Sequence, residues 1–121
     1  MGHMLGLVII SPEVPDMLQE IERMVIANPE NEIDWWQCGG SYDGIIKGKI
    51  TKIDENEPES NKLDNNLVTV GEIYTGFLPH LLFLPNNQEV FIQDADHWKE
   101  VYNSIQKEYP HYFAVALDVH L

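Results

Sequence analysis

The chain has 121 residues, of which 44% are hydrophobic, and a formal net charge of −13 from 20 acidic and 7 basic residues. This length accommodates one ordinary domain, and the hydrophobic content is sufficient for a buried core, which excludes global disorder. The acidic surface repels phosphate groups. It therefore disfavours direct binding to nucleic acids and anionic membranes, and it favours attraction to basic protein surfaces.

Two further features of the sequence are its first residues and the cellular location that it predicts. Residues 1–3 (MGH) precede Met4 and look like a cloning remnant, so the predicted single domain spans residues 4–121. No apolar run approaches the roughly 20 residues that span a bilayer, and no secretory signal pattern is present. The single cysteine, Cys38, cannot form an internal disulfide and fits a reducing cytosol. We therefore expect a cytoplasmic protein without a membrane partner.

The N-terminal residues predict a strand followed by a helix. Residues 5–10 (LGLVII) form a short apolar run that is typical of a buried strand. Residues 11–13 (SPE) offer a serine N-cap, a first-turn proline and an acid, which together indicate a helix start. An apolar stripe with helical spacing then runs from Val14 to Val25. Residues 28–29 (NP) predict its end, because proline disfavours the helical conformation in the residue before it.

The C-terminal residues predict a hairpin, a second helix and a final strand. Residues 80–84 and 89–93 are apolar runs separated by the turn-forming sequence PNNQ, as in a β-hairpin. Asp94 or Asp96 is expected to cap a helix that Pro110 stops. The apolar face of this helix contains Trp98, Val101, Tyr102, Ile105 and Tyr109. Residues 113–121 (FAVALDVHL) alternate between large apolar and smaller or polar side chains, which predicts a half-buried strand.

This order of elements predicts an α+β protein with a ferredoxin-like βαββαβ fold, in which two helices cover one face of an antiparallel sheet. Residues from about 32 to 79 are too many for the loop between the first helix and the hairpin, so we expect a long, β-containing insertion there. Within it, residues 44–54 predict a strand interrupted at Gly48, and residues 54–66 a polar surface loop. Residues 67–74 are compatible with a strand or a short helix.

The insertion begins with the sequence DWWQCGGSYDG at residues 34–44. Its paired glycines permit positive φ angles or the close approach of other atoms. Its adjacent tryptophans point to opposite sides of an extended segment, and Asp34 can accept hydrogen bonds from free backbone amides. The motif fits either a structural corner or a pocket for a ligand or partner. The residues of such a pocket would be Asp34, Trp35, Trp36, Gly39, Gly40, Ser41 and Tyr42.

Three other groups of residues are candidates for chemistry. Asp118 and His120 share one face of the last strand, where a carboxylate can orient an imidazole as a general base; the alternative is a solvent-exposed chain end. Residues 94–97 (DADH) are interpreted as a helix cap, and neither a metal site nor a cofactor is predicted. Cys38 lies among acidic residues, which disfavour a thiolate, so it is not expected to be a nucleophile.

Residues 34–44 and 118–120 fit a pattern of roughly Asp-Trp-aromatic-x-x-Gly-Gly-Arg-aromatic-x-Gly, followed by a C-terminal strand that ends in Asp-x-His. This pattern resembles a family of small, mostly uncharacterised proteins common in bacteriophage genomes and prophages. The matching residues are Asp34, Trp35, Trp36, Gly39, Gly40, Tyr42, Gly44, Asp118 and His120. Ser41 stands where the family usually has arginine. If that arginine binds an anion or substrate, this chain has lost or altered the activity.

We therefore expect an acidic phage-type or prophage-type protein in the host cytoplasm that acts by binding. It would be an inhibitor or counter-defence protein that sequesters a basic host protein or a small molecule such as a nucleotide. One alternative is a small hydrolase or nuclease-like enzyme that uses His120 and Asp118; catalysis is the less favoured interpretation. Another is a virion-accessory or assembly protein, a homodimer through an open sheet face on which Ala114 and Ala116 permit close approach.

Overall fold

The structure is a computed structural model, and it describes residues 2–27, 33–49 and 63–121. This part of the chain contains the helices α1 (Met17–Ile26) and α2 (Ala95–Glu108). Its strands are β1 (His3–Ile10), β2 (Trp35–Cys38), β3 (Leu67–Thr69), β4 (Leu81–Phe83), β5 (Glu89–Phe91) and β6 (Phe113–His120). Within these residues, neither helix combines the length and the apolar character needed to cross a membrane.

The strands form one mixed sheet in the order β2-β6-β1-β4-β5, with β3 also paired to β6. β1 and β6 pair antiparallel along their whole length, from His3 opposite His120 to Ile10 opposite Phe113. β4 pairs in parallel with β1 and antiparallel with β5, so the predicted hairpin is confirmed. The α+β class is confirmed as well.

The strand order does not confirm the ferredoxin-like topology. In that fold the second strand of the hairpin lies beside the first strand of the chain, as a split βαβ unit requires. Here the first hairpin strand, β4, lies beside β1 and runs parallel to it. The sheet is therefore mixed, and the predicted fully antiparallel sheet is not observed.

The expectation that both helices cover one face of the sheet is wrong. α1 buries Ile21 and Val25 in a core cluster that contains Val8 of β1. α2 buries Trp98 in a second cluster that contains Leu7, the neighbour of Val8 on the same strand. Successive residues of a strand point to opposite faces. The two helices therefore lie on opposite faces, and β1 is buried on both sides.

The prediction of a half-buried final strand is wrong for the same reason. The residues of β6 from Ala114 to Val119 are all buried, because β1 lies on one side of the strand, β2 and β3 lie on the other, and both faces are covered. Ala114 and Ala116 belong to the cluster under α2. The sheet face that carries them is therefore covered, and it gives no support to a dimer formed through an open face.

The first helix begins five residues later than the sequence predicts. Asp16 is its N-cap, and its carboxylate accepts a hydrogen bond from the Gln19 N–H at 3.1 Å. Pro15 disfavours the helical conformation in Val14 and so delays the start. The Ser11 hydroxyl instead accepts a bond from the Glu13 N–H at 3.2 Å, within a turn. The predicted stop at residues 28–29 lies outside the described residues.

The second helix agrees with its prediction. Asp94 is the N-cap, and it accepts a hydrogen bond from the His97 N–H at 2.7 Å. Trp98 and Ile105 are buried on its inner face, and Trp98 stacks on Tyr102 with ring centroids 5.3 Å apart. The helix ends immediately before Tyr109.

β2 and β3 lie end to end along the same edge of β6. β2 pairs with residues 117–120 and β3 with residues 113–115. Between them, the Gly39 N–H donates to the Ala116 carbonyl at 3.1 Å, which extends the ladder of β2 by one residue. The two strands thus form one edge strand that is interrupted where the chain leaves at Gly40 and returns at Leu67.

The predicted strand over residues 44–54 is wrong for residues 44–49, and its remainder lies outside the described residues. Gly44 and Gly48 both have a φ of 78°, and the Gly48 N–H donates to the Ile45 carbonyl at 3.0 Å, which closes a 3-10 turn.

Part of the predicted loop over residues 54–66 is a 3-10 turn, Leu63–Asn66, and residues 54–62 are not described. Residues 67–74 include both alternatives, a short strand followed by a 3-10 turn. The insertion residues Ile46, Val70, Ile73 and Phe77 join the core cluster under α2.

Candidate functional site

Asp118 lies near the C-terminus of the chain. It contacts His3, near the N-terminus, and Ser41, which follows the interruption of the edge strand. The side chain of Asp118 is fully buried. Its Oδ2 accepts a hydrogen bond from the Ser41 N–H at 2.9 Å, and its Oδ1 lies 2.7 Å from Nδ1 of His3. The observed partners of Asp118 are therefore Ser41 and His3. His3 lies in the segment 1–3 that looked like a cloning remnant, and the sequence had suggested that Asp118 orients His120.

The paired glycines permit this corner to form. Gly39 and Gly40 have φ angles of 75° and 55°, a region that L side chains rarely adopt. A Cβ atom at position 40 would lie 2.3 Å from Oδ2 of Asp118, and one at position 39 would lie 2.6 Å from Nδ2 of Asn66. For these two residues the structure supports the corner interpretation of the motif.

Asn66 connects the two ends of the segment that leaves the edge of β6 at Gly40 and returns at Leu67. Its side chain is fully buried. Its Oδ1 accepts a hydrogen bond from the Gly44 N–H at 2.9 Å, and its Nδ2 donates to Oδ1 of Asp43 at 2.8 Å. The sequence placed Asn66 at the end of a polar surface loop and gave no local signal of this role, because its partners lie about 22 residues earlier in the chain.

Burial changes the acidity of two residues near this corner. Burial raises the pKa of the Tyr42 hydroxyl, and the nearby charge of Asp118 raises it further. Burial also raises the pKa of the Cys38 thiol, to about 11, so the thiol is protonated at neutral pH. Because the thiolate is the reactive form, this supports the expectation that Cys38 is not a nucleophile.

Trp35 and His120 form a stacked pair at the end of the sheet. They are register partners across β2 and β6, their ring centroids are 5.1 Å apart and their planes differ by 9°. His3 approaches both rings edge-on, at 5.1 Å from His120 and 6.0 Å from Trp35. Asp34 lies beside the pair, with its Oδ2 atom 3.9 Å from Nδ1 of His120. Trp35 nevertheless keeps 42% of its surface exposed.

A surface pocket of about 350 Å³ lies next to this pair, between the last turn of α1 and the start of β2. It is lined by Glu22, Ile26, Ile33, Asp34, Trp35 and Trp36. Among the lining residues that the structure describes, two are acidic, two are tryptophans and none is basic. Trp36 also packs against the core cluster under α1, which holds that wall of the pocket in place.

The sequence identified half of this pocket. Asp34, Trp35 and Trp36 were candidates for a pocket, and the structure brings them together. Gly39, Gly40, Ser41 and Tyr42, which were predicted to belong to the same pocket, lie at the corner beside Asp118 and do not line it. Glu22 and Ile26 were missed because they reach the pocket through the packing of α1. The sequence signal for this wall was Ile26, an apolar residue immediately after the predicted apolar stripe. In the structure it is 62% exposed.

No family model, curated protein or solved structure matches the chain. Among residues 2–27, 33–49 and 63–121, no group of three or more histidine, cysteine, aspartate or glutamate side chains is placed to hold a metal ion. The observations on which a function can rest are thus an α+β domain with a mixed sheet, a buried polar corner and a pocket with acidic and aromatic walls.

Proposed function

We propose that the protein acts by binding a partner protein at the pocket formed by Glu22, Ile26, Ile33, Asp34, Trp35 and Trp36, the acidic-aromatic pocket. One observation carries the proposal: Trp35 is among the residues that line the pocket, it stacks on His120, and it is still 42% exposed. Rigid, exposed tryptophans are the side chains that most often dominate the energy of protein interfaces. A side chain that is already ordered also loses less entropy on binding.

The charge of the chain favours a basic partner. The net charge is −13, and the acidic-aromatic pocket itself carries Glu22 and Asp34. Complementary charge accelerates association and suppresses binding to acidic surfaces. Together with the motif resemblance to phage proteins, this supports an inhibitor or counter-defence protein that sequesters a basic host protein.

The enzyme alternative has less support. It required Asp118 to orient His120 as a general base, whereas the Asp118 carboxylate accepts hydrogen bonds at the buried corner. The carboxylate near His120 is that of Asp34, at 3.9 Å, which is beyond hydrogen-bond distance.

The proposal is tested by comparing how much of a partner is retained from bacterial host lysate by three immobilised variants. Trp35→Ala and Ile26→Ala remove side chains that line the pocket. Leu18→Ala removes an exposed apolar side chain of the same helix, outside the pocket, and is the matched control. We expect the first two variants to lose a partner that the control retains. Equal retention by all three would contradict the proposal.

A further inference from the structure

We propose that the acidic-aromatic pocket holds an arginine side chain from a basic segment of the partner. This inference rests on the proposed binding function and adds the chemistry of recognition to it. It is argued from three properties of the pocket: the chemistry of its walls, their fixed positions, and its size and charge.

The walls of the pocket combine the two groups that recognise a guanidinium ion. Trp35 and Trp36 are both lining residues of the pocket, and an indole ring is a surface on which a planar guanidinium stacks. Glu22 and Asp34 provide carboxylates, which accept paired, charge-assisted hydrogen bonds from its N–H groups. A lysine ammonium is a compact, strongly hydrated charge that does not stack in this way, so the combination favours arginine.

Several contacts hold these walls in place before a partner arrives. Trp35 is fixed by the stack on His120, and the backbone of Asp34 by a hydrogen bond from its N–H to the His120 carbonyl at 2.9 Å. Trp36 is fixed by its packing against the core cluster under α1. Such preorganisation reduces the entropy lost when a ligand binds.

The size and charge of the pocket are consistent with one cationic side chain. A volume of about 350 Å³ is at the lower end of the range for ligand sites, roughly 300–1,000 Å³, which suits a single side chain better than a large cofactor. Within residues 2–27, 33–49 and 63–121, none of the residues that line the pocket is basic. Arg23, which neighbours Glu22 in α1, has its guanidinium paired with Glu20 and Asn87, so it does not occupy the pocket.

The inference is tested by NMR titration with three synthetic pentapeptides that carry arginine, citrulline or lysine between neutral residues. Citrulline has nearly the same shape as arginine without the charge. We expect the arginine peptide to shift the indole N–H signals of Trp35 and Trp36 and to leave that of the buried Trp98 unchanged. We expect affinity about tenfold higher than for the other two peptides.

Charge-neutral variants test the carboxylates separately. The double variant Glu22→Gln and Asp34→Asn should weaken binding of the arginine peptide about tenfold. The control Glu100→Gln and Glu108→Gln changes the net charge equally at exposed positions of α2, and it should leave binding unchanged. Equal losses in the two double variants would show a general charge effect and would overturn the inference.

The outcomes also separate this inference from the proposed function. If Trp35→Ala abolishes partner capture and the three peptides bind equally, binding at the pocket stands and the arginine inference fails. If Trp35→Ala and Leu18→Ala capture the partner equally, the proposed function fails as well. Arginine-peptide binding that leaves the Trp35 and Trp36 signals unshifted would place the site elsewhere and overturn the inference.

Discussion

Gly40 lies so close to Asp118 that a Cβ atom at position 40 would be 2.3 Å from the Oδ2 atom of the carboxylate. The two residues are 78 positions apart in the chain. Their contact lies where the edge strand beside β6 is interrupted, immediately after β2. The same corner directs β2 along β6, which places Trp35 opposite His120.

Replacing Gly40 with alanine should destabilise the protein by about 2–5 kcal/mol, because the new methyl group overlaps Asp118 and the positive φ is strained. Gly71→Ala is the matched control, since nothing lies within 4 Å of a Cβ atom there. Its free energy of unfolding should change by less than about 0.5 kcal/mol. Urea denaturation measures both, and two equally stable variants would contradict the described corner.

Asp118→Ala should destabilise the protein by about 1–3 kcal/mol, because it leaves the Ser41 N–H without its acceptor. Ser41→Ala should have little effect, since Ser41 donates through its backbone and its side chain is exposed. Ser41→Arg, which introduces the arginine of the sequence pattern that residues 34–44 resemble, should fold equally well. Thermal unfolding of the three variants checks this. A large loss in Ser41→Ala would show that the side chain contributes to the corner.

Asn66→Asp should destabilise the protein by about 1–3 kcal/mol, because a carboxylate replaces the amide that donates to Asp43 and would place a buried negative charge beside the half-buried one of Asp43. Asn103→Asp is the control, because Asn103 is exposed on α2 and the change in net charge is the same. Urea midpoints at neutral pH compare the two variants. The bridging role of Asn66 would be refuted by equal midpoints.

Cys38 should make folding stability depend on pH between 9 and 11. Burial raises the pKa of the folded thiol from 9.0 to about 11. A raised folded pKa adds stability that is fully present below pH 9 and lost as pH rises towards 11, about 3 kcal/mol in total. Cys38→Ala should remove this part of the pH dependence and leave the contributions of the tyrosines. Parallel pH–stability curves for the two proteins would contradict this prediction.

The same burial should protect the Cys38 thiol from reagents. In the folded protein at pH 8 the thiol should react slowly with a thiol-specific reagent, and it should react at the rate of a free cysteine in urea. The absorbance of the released chromophore measures both rates. Fast reaction without urea would show that Cys38 is accessible.

The sequence predicted the elements whose signals are local. The Asp94 cap and the hairpin turn PNNQ depend on neighbouring residues, and both are confirmed. The start of α1 was misplaced because the sequence SPE at residues 11–13 predicted a start at Pro12, whereas a second proline, Pro15, lies three residues later. The second determines it, since Asp16 immediately follows and provides the cap.

The features that the sequence did not predict depend on distant parts of the chain. Asp118 in the final strand reads as a polar position on a solvated face, and only its bonds to His3 and Ser41 explain its burial. The alignment of β2 and β3 along β6 involves two segments that are far apart in the chain, so neither segment alone predicts it. For the acidic-aromatic pocket, the motif identified Asp34 and the tryptophans, whereas the wall from α1 arises from helix packing.

The most direct test of the central claim is a site-specific crosslinking comparison along α1. A photoreactive amino acid is placed at Ile26, which lines the acidic-aromatic pocket, or at Leu18, which is exposed on the same helix and lies outside it. We predict that the partner crosslinks from position 26 and not from position 18. Crosslinking from position 18 alone, or with equal yield from both positions, would contradict binding at the pocket.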